Sequence, residues 1–517
     1  MRISRRAALQ TLAAALPALG LRGAQPELPP GVEIEKGPFA GTRKSLSHYE
    51  IPEWFHDAKF GIWAHWGPQS AIEDGDWYAR NMYMQGSGQY NYHVETYGHP
   101  SKFGYKDTIP LWKAEKFEPA ELMRMYKKAG AKYFVSMGVH HDNFDMWNSK
   151  YQPHWNAVNM GPKKDIVGLW KQAAQNEGLK FGVTEHLWIT YKWFSTSHGH
   201  DETGPLTGVP YDGANPANDS LYVDSDQVWG KDLDWNESGI PVWWKHHWYQ
   251  RIKDLVDQYQ PDLLYTDGAL PFEDYGLSLV AHHYNLSAKH NGGKVEAVYT
   301  SKRIEDTEHG VATLDVERGI VDAIWPRPWQ TDTCIGQWHY KRGQQYKTPK
   351  TVIDMLVDIV SRNGNLLLNF PLPSSGALDL EELNVLEGIT NWMSVNVEGI
   401  HGTRPWKIFG EGPGTEPSAK ESAFNEKNRK DLTAADVRFT TKDDTLYAFV
   451  MGWPEYQAVI RPLATNTGLR VGKIQNIELL GSDAKLRWTQ DDTGLKILVP
   501  QQKPCDYAVA FKITGAI

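Results

Sequence analysis

The chain has 517 residues, 41% hydrophobic and 23% charged, a balance that excludes a disordered, collagenous or membrane-embedded polypeptide and is long enough for at least two domains. Its 63 acidic residues outnumber its 54 basic ones, and the net charge of −9 argues against binding along nucleic-acid phosphates. Two cysteines, Cys334 and Cys505, exclude a disulfide scaffold or a multi-cysteine zinc site and are read as free thiols.

Residues 1–25 predict a cleavable export signal of twin-arginine type. Arg5 and Arg6 precede a modest apolar stretch from Thr11 to Leu21 that is too short and too weakly apolar to span a membrane. A proline-rich leader is expected over residues 26–48. No later run approaches eighteen apolar residues, so the expectation is an exported protein, periplasmic or extracellular, with no membrane span.

From residue 49 to 404, short apolar strands alternate with amphipathic helices. Strands are expected over 60–65, 133–139, 180–184, 262–266, 295–300 and 366–370. Helical spacing covers 118–129, 166–176, 242–259, 272–289, 351–362 and 380–395, with Gly130, Gly178 and Gly364 as helix stops. No glycine-rich phosphate turn follows an early strand. The fold class is therefore α/β, a (β/α)8-like barrel of TIM type rather than an open doubly wound sheet, and irregular because a full eightfold repeat is not visible. Residues 195–238, rich in Gly, Pro, Asp and Asn, predict a long loop inserted above the barrel. After the polar run 410–429 the pattern becomes alternating in segments that begin at Val437, Leu446, Ile474, Leu486, Leu495 and Tyr507. This predicts a small C-terminal antiparallel β-sandwich over 405–517.

Catalytic side chains of such barrels sit where strands end. Here the apolar runs close in His65, His140-His141, Glu185-His186, Asp267-Gly268 and Lys302-Arg303, and Asp76-Trp77 follows the first strand. Asp267 is the leading candidate for a nucleophile or base, the alternative being a strand-end carboxylate that caps the next helix. A glycosidase needs a second carboxyl, about 5 Å away if stereochemistry is retained. Glu317, read as lying in the loop after the next strand, is the available partner, although it could equally pair with Arg318 at the surface, and Glu185 and Glu296 compete for the role.

Adjacent residues on an extended segment point to opposite sides, and no further ligand stands at i, i+4 spacing. His140-His141, His246-His247 and His282-His283 are therefore read as non-ligating, and no metal is expected. Neutral imidazoles, with 22 Trp, 24 Tyr and 16 Phe available for apolar faces, suit a hydroxyl-rich ligand such as a sugar. The absence of a Gly-x-Ser-x-Gly elbow or a P-loop leaves serine-hydrolase and nucleotide chemistry without support.

Six segments carry a family resemblance: Trp54–Gly67, Asp76–Tyr78, Ala129–Tyr133 leading to His140–Phe144, Pro261–Gly268, Trp329–Thr333 and Gly364–Asn369. In these the chain resembles the glycoside hydrolase family 29 α-L-fucosidases. The resemblance implies a barrel with a C-terminal β-sandwich and a retaining exo-α-L-fucosidase that removes terminal fucose from glycans without a cofactor. Asp267 would attack the anomeric carbon, and His65, Asp76, Trp77, His140 and His141 would hold the fucose hydroxyls. Tyr265 and Lys302 stand where the family often has Trp and Arg. Many members carry Glu directly after the Trp matched by Trp329. Here that residue is Gln330, which cannot exchange a proton as a carboxyl does, so the acid/base role passes to Glu317. A related retaining glycosidase for another sugar and a non-catalytic glycan-binding protein are the competing readings.

Overall fold

Eight parallel strands close into a barrel in chain order: β1 (Phe60–Ala64), β2 (Tyr133–Val139), β3 (Lys180–Glu185), β4 (Leu263–Thr266), β5 (Val298–Ser301), β6 (Thr313–Glu317), β7 (Trp329–Cys334) and β8 (Gly364–Asn369). The computed structural model describes residues 28–517 except 224–228, 231, 417–423 and 470, so the expected export signal lies outside the described residues. Strands β1, β2, β4 and β8 are buried along their whole length, which is why they read as continuous apolar runs: parallel strands are covered on both faces. Outside them pack helices Pro119–Lys128, Ile166–Asn176, Val242–Tyr259, Asp274–His290 and Pro349–Ser361.

Strands β6 and β7 complete the barrel, and their inward residues are polar, which hid them from an apolar-run reading. Tyr133 donates its hydroxyl to Gln330 Oε1 at 2.8 Å, Gln330 Nε2 donates to Asp315 at 2.9 Å, and the Tyr265 hydroxyl donates to Asp332 at 3.0 Å. Tyr133 fits because its neighbour in β1 is Gly61, where a Cβ would meet the tyrosine ring at 2.3 Å. Two expectations are corrected here. Glu317 is the last residue of β6 and does not lie in a following loop. Gly364 opens β8, and the left-handed residue after the preceding helix is Asn363, at φ +75°. The irregularity is real: only the five-residue helix Ile304–Glu308 joins β5 to β6, and among the described residues no helix joins β6 to β7.

Past helix Leu380–Asn396 come β9 (Arg404–Glu411), β10 (Val437–Lys442), β11 (Thr445–Val450), β12 (Gln457–Ile460), β13 (Asn476–Leu479), β14 (Trp488–Asp491), β15 (Gly494–Leu498) and β16 (Val509–Thr514). They form a five-stranded antiparallel sheet, β13-β16-β11-β10-β9, and a three-stranded one, β12-β15-β14. Strand β11 shows why both layers hold. Leu446, Ala448 and Val450 face a core shared with Ile460, Ile497 and Phe511, while Tyr447 and Phe449 join the barrel's core. Trp392 of the barrel's last helix donates to the Ala508 carbonyl at 2.7 Å across that junction.

Candidate active site

The C-terminal ends of the strands surround a cavity of about 330 Å³, lined among others by Trp63, His65, Asp76, Trp77, His140, His141, His186, Tyr265, Asp267, Lys302 and Glu317. All nine residues singled out from the sequence as catalytic or substrate-binding thus share one pocket.

Asp267 follows β4, its N–H bonded to the Glu185 carbonyl at 3.1 Å. Its Oδ1 accepts from Lys302 Nζ at 2.7 Å and from the Tyr265 hydroxyl at 3.4 Å, and its Oδ2 faces His186 Nδ1 at 3.2 Å and His141 Nε2 at 3.6 Å. Burial raises this carboxyl's pKa, but the Lys302 ammonium and then the two imidazoles outweigh it and hold the group well below the usual carboxylate range. Asp267 is therefore ionised.

Glu317 accepts from the same Lys302 Nζ at 2.5 Å. Its balance goes the other way: burial lifts it, Lys302 opposes, and the charges of Asp332 and Asp267 add to the lift, leaving it at about 7. The two carboxyls of one pocket thus have their pKa values pushed far apart, a pattern that separates a nucleophile from an acid. Lys302 is itself held well above its ordinary value. Burial disfavours its charge, but Asp267, Asp332, Glu317 and Asp315 outweigh that.

The competing carboxylates face elsewhere. Glu185 is fully buried outside the strand ring, accepting from Trp248 Nε1 at 3.1 Å and the Leu187 N–H at 3.0 Å, with burial pushing it up to about 7. Glu296 precedes β5 on the far side of the barrel, where its carbonyl accepts from Trp54. Gln330 lies below the pocket in the buried Tyr133–Asp315 chain.

The adjacent histidines do not point to opposite sides. The register between β2 and β3 shifts between Met137 and Val139, so alternation ends before His140, and both imidazoles turn into the cavity with ring centroids 4.5 Å apart. His140 Nδ1 accepts from Gln69 at 2.9 Å, and His141 Nδ1 donates to the His186 carbonyl at 2.7 Å. The sequence places His186 among the strand ends, one residue past β3, without giving it a role, and it misses His339, which donates to Asp76 at 2.5 Å from a loop 263 residues away. The aromatic pair Trp338-His339 was the available signal. Trp63, Trp235, Trp338, Asp332 and Phe424 also line the cavity.

This gathering removes the spacing argument against a metal. Ligating atoms of His65, Asp76, His140 and His339 lie within 4.8 Å of one another, as do those of His140, His141 and His186. Burial, reinforced by neighbouring imidazoles, holds His65 and His140 well below their ordinary pKa, and burial also lowers His186 against the pull of Asp267. Both nitrogens of His65 and Nε2 of His186 are buried without a hydrogen-bond partner among the described residues. Unpartnered buried nitrogens are destabilising by about 1–3 kcal/mol each, so in this pocket they are open to the polar atoms of a ligand.

The profile described as Alpha-L-fucosidase matches residues 30–398, and that of the Alpha-L-fucosidase C-terminal domain matches 429–514. The tissue α-L-fucosidase of Bos taurus is 26% identical over 490 residues, 91% of this chain and 90% of the relative. The structure of Thermotoga maritima α-fucosidase in complex with fucose superposes with a TM-score of 0.68 at 24% identity, covering 93% of this chain and all of that one. A trapped covalent intermediate of a Bacteroides thetaiotaomicron α-L-fucosidase with 2-fluoro-fucosyl fluoride superposes at 0.61 with 18% identity, over 90% of this chain and 96% of the other.

Proposed function

The chain belongs to the α-L-fucosidase family and is a glycoside hydrolase, and from that premise we propose that it removes terminal α-L-fucose from glycans by a retaining double displacement. Asp267 is the nucleophile, Glu317 the acid/base, and His65, Asp76, Trp77, His140, His141, Tyr265 and Lys302 bind the sugar. The observation that carries this reading is the shared ammonium. Bonds of 2.7 and 2.5 Å from Lys302 Nζ limit the separation of the two carboxylate oxygens to 5.2 Å, the sum of those lengths. A spacing of about 5 Å suits retention, whereas inversion needs room for a water and hence a wider gap.

The chemistry follows from the charges. Ionised Asp267 attacks the anomeric carbon while protonated Glu317 donates to the departing glycosidic oxygen. The negative charge passes from Asp267 to Glu317, and Lys302 faces one carboxylate before the step and one after it. Esterification of Asp267 removes one of the charges that raise Glu317, which prepares Glu317 to take a proton from the water that hydrolyses the fucosyl ester. Trp63, Trp338 and Tyr265 give the cavity apolar wall, and an apolar wall around the C6 methyl rejects an added hydroxyl only modestly. Export is part of the proposal and rests on the Arg5-Arg6 segment alone. Among the described residues no helix is long and apolar enough to cross a membrane.

Incubation with 2-fluoro-fucosyl fluoride followed by peptide mass mapping tests the assignment. The fluorofucosyl adduct is expected on the peptide bearing Asp267. An adduct on Glu317, or a β-configured first-formed product of hydrolysis, would overturn it.

A further inference from the structure

Phe424 reaches the cavity from outside the barrel, in the segment that leads to β10. Its backbone sits at φ +53°, ψ +18°, a left-handed conformation that a bulky residue adopts rarely and only where its surroundings impose it. The side chain is 55% exposed, so burial of the ring does not offset the strain.

What imposes the conformation is a run of bonds along the chain just after Glu317. The Phe424 N–H donates to the Glu317 carbonyl at 2.8 Å and the Glu426 N–H to the Arg318 carbonyl at 2.9 Å. Asn425 accepts from the Ile320 N–H at 3.2 Å and donates to its carbonyl at 3.1 Å. The Glu426 carboxylate takes the Thr333 hydroxyl at 2.5 Å and the Lys347 ammonium at 2.6 Å. All these contacts are made by backbone or by neighbouring side chains, and their common result is an uncovered aromatic ring in the wall of the pocket that holds Glu317.

We propose that Phe424 is the platform of a leaving-group subsite, its ring stacking on the apolar face of the sugar joined to the terminal fucose. The inference rests on Glu317 being the acid, since the leaving oxygen must then lie beside Glu317 and the sugar that carries it lies beside Phe424. The cavity's other half-exposed ring, Trp235, packs 5.8 Å from Trp77 and 6.0 Å from His141, among the residues assigned to the fucose itself. An exposed ring at a polar rim offers a pyranose its C–H-binding face.

The test compares wild type, F424A, F424G and F424W on α-L-fucosyl fluoride, whose leaving group has no ring, and on a fucosylated disaccharide. The ratio of kcat/KM for the disaccharide to that for the fluoride is expected to fall roughly three- to tenfold in F424A and F424G, the range aromatic stacking supplies, and to recover in F424W. F424G is expected to melt at or above the wild-type Tm, because glycine accepts the left-handed backbone freely. An unchanged ratio in F424A, or an equal loss on both substrates, would overturn the subsite and make the segment a support for Glu317. Wild type that cleaves neither substrate would instead remove the fucosidase reading, and the subsite with it.

Discussion

Asp267 and Glu317 bond the same ammonium group, that of Lys302, at 2.7 and 2.5 Å, yet the first is held ionised and the second titrates at about 7. The difference arises from what else each one meets. Asp267 also faces His186 and His141, whereas Glu317 has the charges of Asp332 and Asp267 for company. The buried polar rung of Asp315, Gln330 and Asp332 beneath them is therefore part of the site's electrostatics. Asp315 itself is lifted well above its ordinary value by burial and by Asp332.

The pH dependence follows directly. Activity needs Asp267 without its proton and Glu317 with it, so kcat/KM on an unactivated fucoside is expected to fall as pH rises through about 7, and its acid limb to lie below the usual carboxylate range. On an aryl fucoside, E317Q is expected to lose the alkaline limb. An alkaline limb that persists in E317Q would assign it to another group.

Lys302 provides the leading downward pull on Asp267. Replacing it in K302M removes that pull, so the Asp267 pKa rises and the acid limb of kcat/KM moves to higher pH. The rate near neutrality is expected to drop by a factor of about 10² or more, as when a preorganised charge is lost from an active site. An unmoved acid limb, read from the same profile, would contradict the electrostatic assignment.

The imidazole cluster invites a chelation experiment. With His65, Asp76 and His140 assigned to sugar hydroxyls and His339 bonded to Asp76, prolonged EDTA treatment is expected to leave kcat and KM unaltered. Added Zn²⁺ is expected to inhibit, because the ligating atoms lie close enough to capture it. Activity lost to EDTA and restored by a divalent ion would make the cluster a metal centre.

The junction between barrel and C-terminal sheets has its own weak point. Asp358, on helix Pro349–Ser361, is bonded by the buried Arg438 of β10 and lies 3.4 Å from Arg362 and 3.6 Å from Arg429. Burial raises its pKa, but Arg438, Arg362 and Arg429 outweigh that and hold it far below its ordinary value. A depressed folded-state pKa gives stability that is present above the unfolded value and lost only as pH falls through the depressed one. D358A is therefore expected to lower unfolding stability by about 3–5 kcal/mol at neutral pH, with the gap to wild type closing only in strong acid. Denaturant melts of the two proteins at pH 7 that coincide would contradict this.

Much of this architecture is legible in the residues because a parallel strand covered on both faces reads as an unbroken apolar run, as in Phe60–Ala64 and Leu366–Leu368. Strand ends then identify His65 and Asp267. Strands β6 and β7 escape that reading because Asp315, Gln330 and Asp332 face inward, where Gln330 donates to Asp315 and Tyr265 to Asp332, pairings invisible in one dimension. His140 and His141 are misjudged by a rule of alternation that stops holding where β2 and β3 shift register. His339 and Phe424 come from loops whose place at the rim is set by tertiary contacts, to Asp76 in one case and to the backbone of Glu317 in the other.

Hydrolysis of 4-nitrophenyl α-L-fucoside beside an unactivated fucosyl oligosaccharide, in wild type and E317Q, tests the central claim most directly. Wild type is expected to turn over both, and E317Q to retain only the aryl substrate, whose leaving group needs little protonation. Equal retention of both substrates by E317Q would remove Glu317 as the acid, and a wild-type protein that cleaves neither would contradict the fucosidase account itself.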